Sequence, residues 1–112
     1  MSEKVYAHYL STVEWFNLQT CIQPICRMFG FQVFLVGSCI KKRDFRDVDI
    51  RVIHEQYGWP LDTDHNRKVT GMMMSEWLAK RTGMNIDLQI QTMEEANNKY
   101  GDEVRIALGT NI

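Results

Sequence analysis

The sequence predicts an α+β fold, an α/β two-layer arrangement with a small mixed β-sheet packed against helices. Three observations carry this. Asp47–Ile53 and Asn85–Gln91 alternate apolar and polar residues with the period of a strand. Around Ser11–Phe29 and Asn66–Arg81 the apolar residues recur at helical spacing instead. Only the ten residues Gly37–Arg46 separate the first two predicted strands, fewer than the dozen or so that a parallel crossover needs. A mixed sheet with helices on one side satisfies all three.

The chain of 112 residues reads as a single domain over 1–112, long enough to bury one core without disulfides or a structural metal. Its apolar content and moderate charge argue against disorder. A formal net charge of -1 gives no overall attraction to nucleic acid or anionic lipid, so any such partner would use a local patch. Cys21, Cys26 and Cys39 form no paired framework. Met1–Tyr9 is polar and charged rather than signal-like, and a reducing, cytoplasmic location is expected. No apolar run approaches the roughly 20 residues of a membrane span, so no membrane partner is expected.

In chain order, Met1–Lys4 is read as frayed. In the first helix Val13, Phe16, Cys21, Ile22, Ile25, Cys26 and Phe29 share the helical period, with Ser11 or Thr12 as cap and Glu14 in the first turn. Pro24 kinks that helix or splits it in two, and Gly30 stops it. Gln32–Val36 is a short, continuously apolar strand. Cys39–Asp44 is basic and is either a helical turn or a loop. In Asp47–Ile53 the residues Val48, Ile50 and Val52 face the core, leaving Asp47, Asp49 and Arg51 on the opposite face. His54–Asn66 is a loop, with Asp62 and Asp64 as helix caps. The next helix brings Val69, Met73, Trp77 and Leu78 near one face and ends at Gly83. Asn85–Gln91 turns Ile86, Leu88 and Ile90 inward and Asp87, Gln89 and Gln91 outward. Met93–Tyr100 is a helix capped by Thr92, with Glu94 and Glu95 favouring its N-terminus and Gly101 ending it. Glu103–Leu108 is read as a last strand rather than a short helix.

The chemistry gathers at Val33–Ile53 and Asp87. Asp47 and Asp49 lie two apart, so both project from one face of a strand. If the strand carrying Asp87 is a neighbour, three carboxylates converge. Like charges held together cost stability unless a cation neutralises them, and Mg2+ (or Mn2+) is the hard ion suited to carboxylate and phosphate oxygens. Gly37 permits close approach of backbone to a phosphate, and the Ser38 hydroxyl and nearby amides can donate to it. Lys41, Lys42, Arg43 and Arg46 add positive charge for a triphosphate. Each acid alone is more simply a solvated residue on an alternating strand; the joint pattern is what surface polarity does not explain.

The sequence Val36-Gly37-Ser38, followed by Asp47-Val48-Asp49-Ile50 and a later strand acid, resembles the signature of the DNA polymerase β-like nucleotidyltransferase superfamily. In size and element order it resembles the minimal members of prokaryotes and phages, and the resemblance covers about Phe16–Gln91. It implies a nucleotidyltransferase-like core that moves a nucleoside monophosphate from an NTP to an acceptor hydroxyl and releases pyrophosphate. By match it implies nucleotide binding at Gly37 and Ser38, with Lys42 and Arg46 as the basic residues for the triphosphate. It implies metal ligation by Asp47 and Asp49, and for Asp87 the role of third catalytic carboxylate, assisting the metal or activating the acceptor. The acceptor would be a protein side chain, an RNA end or a small molecule. A helical partner protein, as in toxin–antitoxin pairs, or a homodimer would supply the missing acceptor-binding surface. Two departures stand out: the gap between Ser38 and Asp47 is short, and Cys39-Ile40-Lys41-Lys42 replaces the usual arginine-containing run. The rival is a non-catalytic nucleotide- or protein-binding regulatory module that keeps the fold.

Other residues have plainer expectations. His8, His54 and His65 lack metal-ligand spacing and are read as surface residues. Cys21 and Cys26 are read as small core residues, Met72–Met74 as core filler with one member outward, and Trp59 as an aromatic plug under its loop. Arg51 is expected to pair with Asp49 or Asp87, or to contact phosphate.

Overall fold

A computed structural model describes residues 8–30, 32–54, 58–100 and 103–109. Among the described residues, five helices and four strands follow one another as α1 (Thr12–Cys21), α2 (Gln23–Met28), β1 (Val33–Val36), α3 (Ser38–Lys41), β2 (Val48–Ile53), α4 (Asp64–Thr82), β3 (Ile86–Gln91), α5 (Met93–Tyr100) and β4 (Ile106–Ala107). The strands form one sheet in the order β3-β2-β1-β4. β1 runs antiparallel to β2 and β4, while β2 and β3 are parallel. The fold is therefore the expected small α+β domain with a mixed sheet. The short connection between β1 and β2 makes an antiparallel pair, and the parallel pair is joined through α4, whose length allows the crossover.

Local chemistry sets the helix boundaries. Ser11 caps α1 by accepting from the Glu14 amide at 3.1 Å, and the Glu14 carboxylate accepts from the Ser11 amide at 2.8 Å, so two otherwise unpaired donors are satisfied reciprocally. Pro24 splits the predicted long helix and stands in the first turn of α2, where its missing N–H costs nothing. Thr92 and Glu95 build the same reciprocal cap on α5, at 3.1 and 3.0 Å. Thr63, not Asp62 or Asp64, caps α4 by accepting from the Asn66 amide. Asp64 lies inside the first turn and pairs with Lys68 at 3.1 Å. Gly83 ends α4 in the left-handed conformation, φ 72°. The frayed start at Met1–Lys4 and the stop at Gly101 lie outside the described residues.

The core fills one side of the sheet. Val33 and Leu35 of β1, Val48, Ile50 and Val52 of β2, and Leu88 and Ile90 of β3 pack against Trp15, Leu18, Ile25, Cys26 and Leu78 from α1, α2 and α4. The outermost strand β3 is closed by α4. The Leu88 amide donates to Ser75 Oγ at 2.8 Å, and Gly71 lies so near that a β-carbon there would stand 2.8 Å from the Leu88 carbonyl oxygen. The inward face of α4 thus runs through Gly71, Met74, Ser75 and Leu78, whereas Val69 and Met73, expected near the core, are exposed. On α1, Val13 and Phe16 likewise face outward, and Trp15 and Leu18 are buried.

Several single-residue expectations are corrected. His8 is buried, not superficial: its ring stacks on Trp15 with centroids 4.2 Å apart, and its Nδ1 accepts from the Leu10 amide. His54 is half-buried with its ring edge against Phe29, and His65 is exposed as expected. Trp59 is 85% exposed and plugs nothing. Met72 and Met73 both face outward and Met74 alone packs on the core. No helix among the described residues is long and apolar enough to cross a membrane.

Candidate functional site

The carboxylates of Asp49 and Asp87 sit on the side of the sheet opposite the core. Because β2 pairs with β3 in parallel and in register, Asp49 lies directly beside Asp87. On the other flank Asp49 lies beside Val36, the last residue of β1. The strand period then places Asp49, Arg51 and Ile53 of β2 with Asp87, Gln89 and Gln91 of β3 on one face. Asp47 is exposed and stands just before β2 rather than in it.

Gly37 turns the chain immediately after β1, with φ 81°, a backbone region that L side chains rarely adopt. The turn lies against the acid: a β-carbon at Gly37 would overlap the Asp49 carboxylate. Ser38 then opens the one-turn helix α3, half-buried, which resolves the choice between turn and loop for its first residues. Among the basic residues, Lys41 pairs with Glu103. Lys42 and Arg46 are exposed.

This face is not simply solvated. Arg51 is 2% exposed, and Val36, Ile53 and Ala96 are buried although they stand outside the main core cluster. α5 packs against β2 and β3, and its Lys99 comes within electrostatic reach of Asp49. Arg51 Nη1 donates to the backbone carbonyls of Ile50 and Asp87, each at 2.9 Å, and Nη2 lies 3.4 Å from Asp87 Oδ2. Gln89 Nε2 lies 3.3 and 3.4 Å from the two Asp87 carboxylate oxygens. Of the partners expected for Arg51, Asp87 is met as an ion pair, and Asp49 lies within the reach of its charge.

The electrostatics follow from this packing. Burial pushes the Asp49 carboxyl above its ordinary pKa, and the negative charges of Asp87 and Asp47 push the same way; Arg51 and Lys99 oppose them. Cys39, buried beside this region, is pushed up to about 12, first by burial and then by the charge of Asp49. It is a protonated, inert thiol at neutral pH. The donor set itself, hard carboxylate oxygens that repel one another, suits a divalent ion such as Mg2+. Their placement does not make a closed cage: among the described residues no group of three His, Cys, Asp or Glu side chains stands ready to hold one metal ion. Asp47 and Asp49 remain the candidate ligands, and the Asp87 carboxylate faces Arg51 and Gln89.

A groove of about 520 Å³ borders Asp87 along the outer side of β3, between α4 and the start of α5; Arg67, Lys68, Met72, Ser75, Gln89 and Glu95 contribute to its walls. Sequence reasoning missed this groove, because it forms only where α4, β3 and α5 meet, and no local pattern marks that meeting. It also missed Lys99, which no local pattern connects to Asp49.

No family model matches this chain, and neither curated proteins nor solved structures yield a match.

Proposed function

We propose that the protein is a small metal-dependent nucleotidyltransferase of the DNA polymerase β-like type. It would transfer a nucleoside monophosphate from an NTP to an acceptor hydroxyl and release pyrophosphate. The observation that carries this reading is the register of β2 and β3, which sets Asp49 beside Asp87 while the Gly37 turn touches the Asp49 carboxylate. Separate stretches of sequence thereby supply a tight glycine turn and neighbouring acids at one place.

In this reading Gly37 and Ser38 receive the phosphates, with Lys42 and Arg46 adding positive charge. Asp47 and Asp49 hold the Mg2+ or Mn2+, and Asp87 is the third carboxylate beside them. A bound divalent ion would neutralise phosphate charge and polarise the reacting phosphoryl group. The chain's own contribution is to orient the nucleotide at the turn and to place a carboxylate where the acceptor enters. The groove along β3 is the natural entrance for the acceptor, since Asp87 belongs to both. A helical partner protein or a second copy of the chain would complete acceptor binding.

The rival reading, a non-catalytic nucleotide- or protein-binding module, is favoured by one observation: Asp87 is occupied by Arg51 and Gln89. Incubation with labelled ATP, CTP, GTP or UTP, with Mg2+ or Mn2+ and candidate acceptors, separates the two. The enzyme reading expects label transfer that falls at least about a hundredfold in Asp47→Ala and Asp49→Ala. Tight nucleotide binding without metal, retained in both variants and without transfer, establishes the rival.

A further inference from the structure

We propose that the groove along β3 takes an extended protein segment bearing basic and apolar side chains, and that this segment carries the acceptor hydroxyl. The inference rests on the nucleotidyltransferase reading for the transfer step. It names the class of acceptor, where that reading admits a protein, an RNA end or a small molecule.

The charge of the groove favours a basic occupant. Four acids, Asp64, Glu76, Asp87 and Glu95, line it together with two bases, Arg67 and Lys68. Both bases are already engaged. Lys68 Nζ lies 3.1 Å from Asp64, while Arg67 Nη1 donates to the Leu61 carbonyl at 2.9 Å and Nη2 lies 4.0 Å from Asp64. Asp87 is offset by the buried Arg51. Glu76 on α4 and Glu95 on α5 are exposed and, among the described residues, form no ion pair. Their charge stands on the two helices that bound the groove, open to a cation that enters it.

The rest of the lining suits a peptide. Met72 is 68% exposed on the α4 wall, and an unbranched thioether adapts to varied apolar side chains. Gln91 has its Oε1 buried without a hydrogen-bond partner among the described residues. An acceptor in that state costs stability until an N–H donor reaches it. The volume of about 520 Å³ lies within the range of ligand-holding clefts, roughly 300–1,000 Å³. The occupant is held through side chains and does not add a strand, because the Leu88 amide already donates to Ser75. A single-stranded RNA needs the opposite lining, with unpaired cations for its backbone and aromatic platforms for its bases. Among the described residues that line the groove, none is aromatic and both bases are engaged.

In the transfer, the hydroxyl oxygen of the segment bonds to the α-phosphorus of the NTP. The bond from that phosphorus to the bridging oxygen breaks, pyrophosphate leaves with the electron pair, and the hydroxyl proton passes to Asp87.

The test measures binding and transfer separately on the full chain. Binding is read by fluorescence anisotropy with three labelled probes: a short peptide alternating lysine and leucine around a central serine, the same peptide with glutamate for lysine, and a single-stranded oligouridine of similar length. The lysine peptide is expected to bind, with affinity falling about tenfold in the double variant Glu76→Gln/Glu95→Gln. Glutamine keeps an oxygen for the Thr92 amide, so the cap of α5 is preserved. Affinity is expected to stay within about twofold in Asp62→Asn, an exposed acid outside the groove. Absence of lysine-peptide binding, equal binding of the glutamate peptide, preference for oligouridine, or an equal loss in Asp62→Asn overturns the inference. Labelled NTP then tests the reading beneath it. Metal-dependent transfer to an RNA end and not to a peptide hydroxyl overturns the inference and leaves the transferase reading standing. Groove-dependent peptide binding without transfer to any acceptor overturns the transferase reading and leaves the groove a docking surface for a basic segment.

Discussion

The two faces of this four-stranded sheet follow different rules. On the core face, Ile50 is neighbour to Leu35 on one side and Leu88 on the other, and all three are buried aliphatics. On the opposite face, one residue further along, Arg51 is neighbour to Phe34 and Gln89 and is just as buried. Burial on the first face is a matter of apolar area and shape. On the second it depends on a guanidinium meeting carbonyls and a carboxylate. Loss of solvent contact is thus no guide to which kind of force holds a residue, and the acid-bearing face is a structured part of the protein rather than its wet exterior.

Three substitutions break or sharpen that contrast. The largest effect is expected from Ile50→Ala on the core face. It removes a fully buried side chain from the middle of the sheet and should cost about 2–5 kcal/mol in urea unfolding. Gly37→Ala attacks the other face from its turn. The new β-carbon meets the Asp49 carboxylate at a backbone conformation alanine adopts poorly, so a loss of about 1–3 kcal/mol is expected, together with loss of the proposed nucleotide transfer. Transfer surviving in this variant would separate the turn from the site.

Asp49→Asn should act in the opposite direction on stability. The folded pKa of Asp49 is raised above its unfolded value, so the folded chain retains this proton longer than the unfolded chain does. Its ionisation therefore reduces stability as pH rises from the unfolded value, near 4, through the raised folded value. Asn carries no charge and escapes that loss. A higher Tm than the natural chain at pH 7, with the difference shrinking toward pH 3, is expected, while the proposed transfer is abolished. A lower Tm at pH 7 would mean that the Asp49 charge is net stabilising.

The core face was legible because strand alternation is a local signal: Val48, Ile50, Val52, Leu88 and Ile90 declare their side in the sequence itself. Thr92 was legible as a cap, and Ser11 as one of two candidates beside Thr12; the reciprocal bonds of Glu14 and Glu95 came from the structure. The pairing of Asp49 with Asp87 was legible only as a condition, since the neighbour relation of β2 and β3 is set by the whole chain. Where the reading failed, tertiary packing chose among equally periodic stripes. On α1, Val13 and Phe16 match the helical period as well as Trp15 and Leu18 do, yet docking on the sheet selected the latter. On α4 the inward face approaches a strand backbone and needs a missing side chain at Gly71 and a hydroxyl at Ser75, which no hydropathy pattern marks. Arg51 was visible as a charge on the acid face. Its burial was not, because that depends on what α5 and β3 bring over it.

Gly71 and Ser75 also bear on how the protein behaves in a crowd. A sheet ordinarily offers two open margins to which a foreign strand can add. At β3 the Leu88 amide already donates to Ser75, with α4 pressed against the strand. At the other margin β4 offers only two paired residues, too short a template for stable lateral growth. Among the described residues, both margins of this aliphatic-rich sheet thus leave little free template for edge-to-edge pairing.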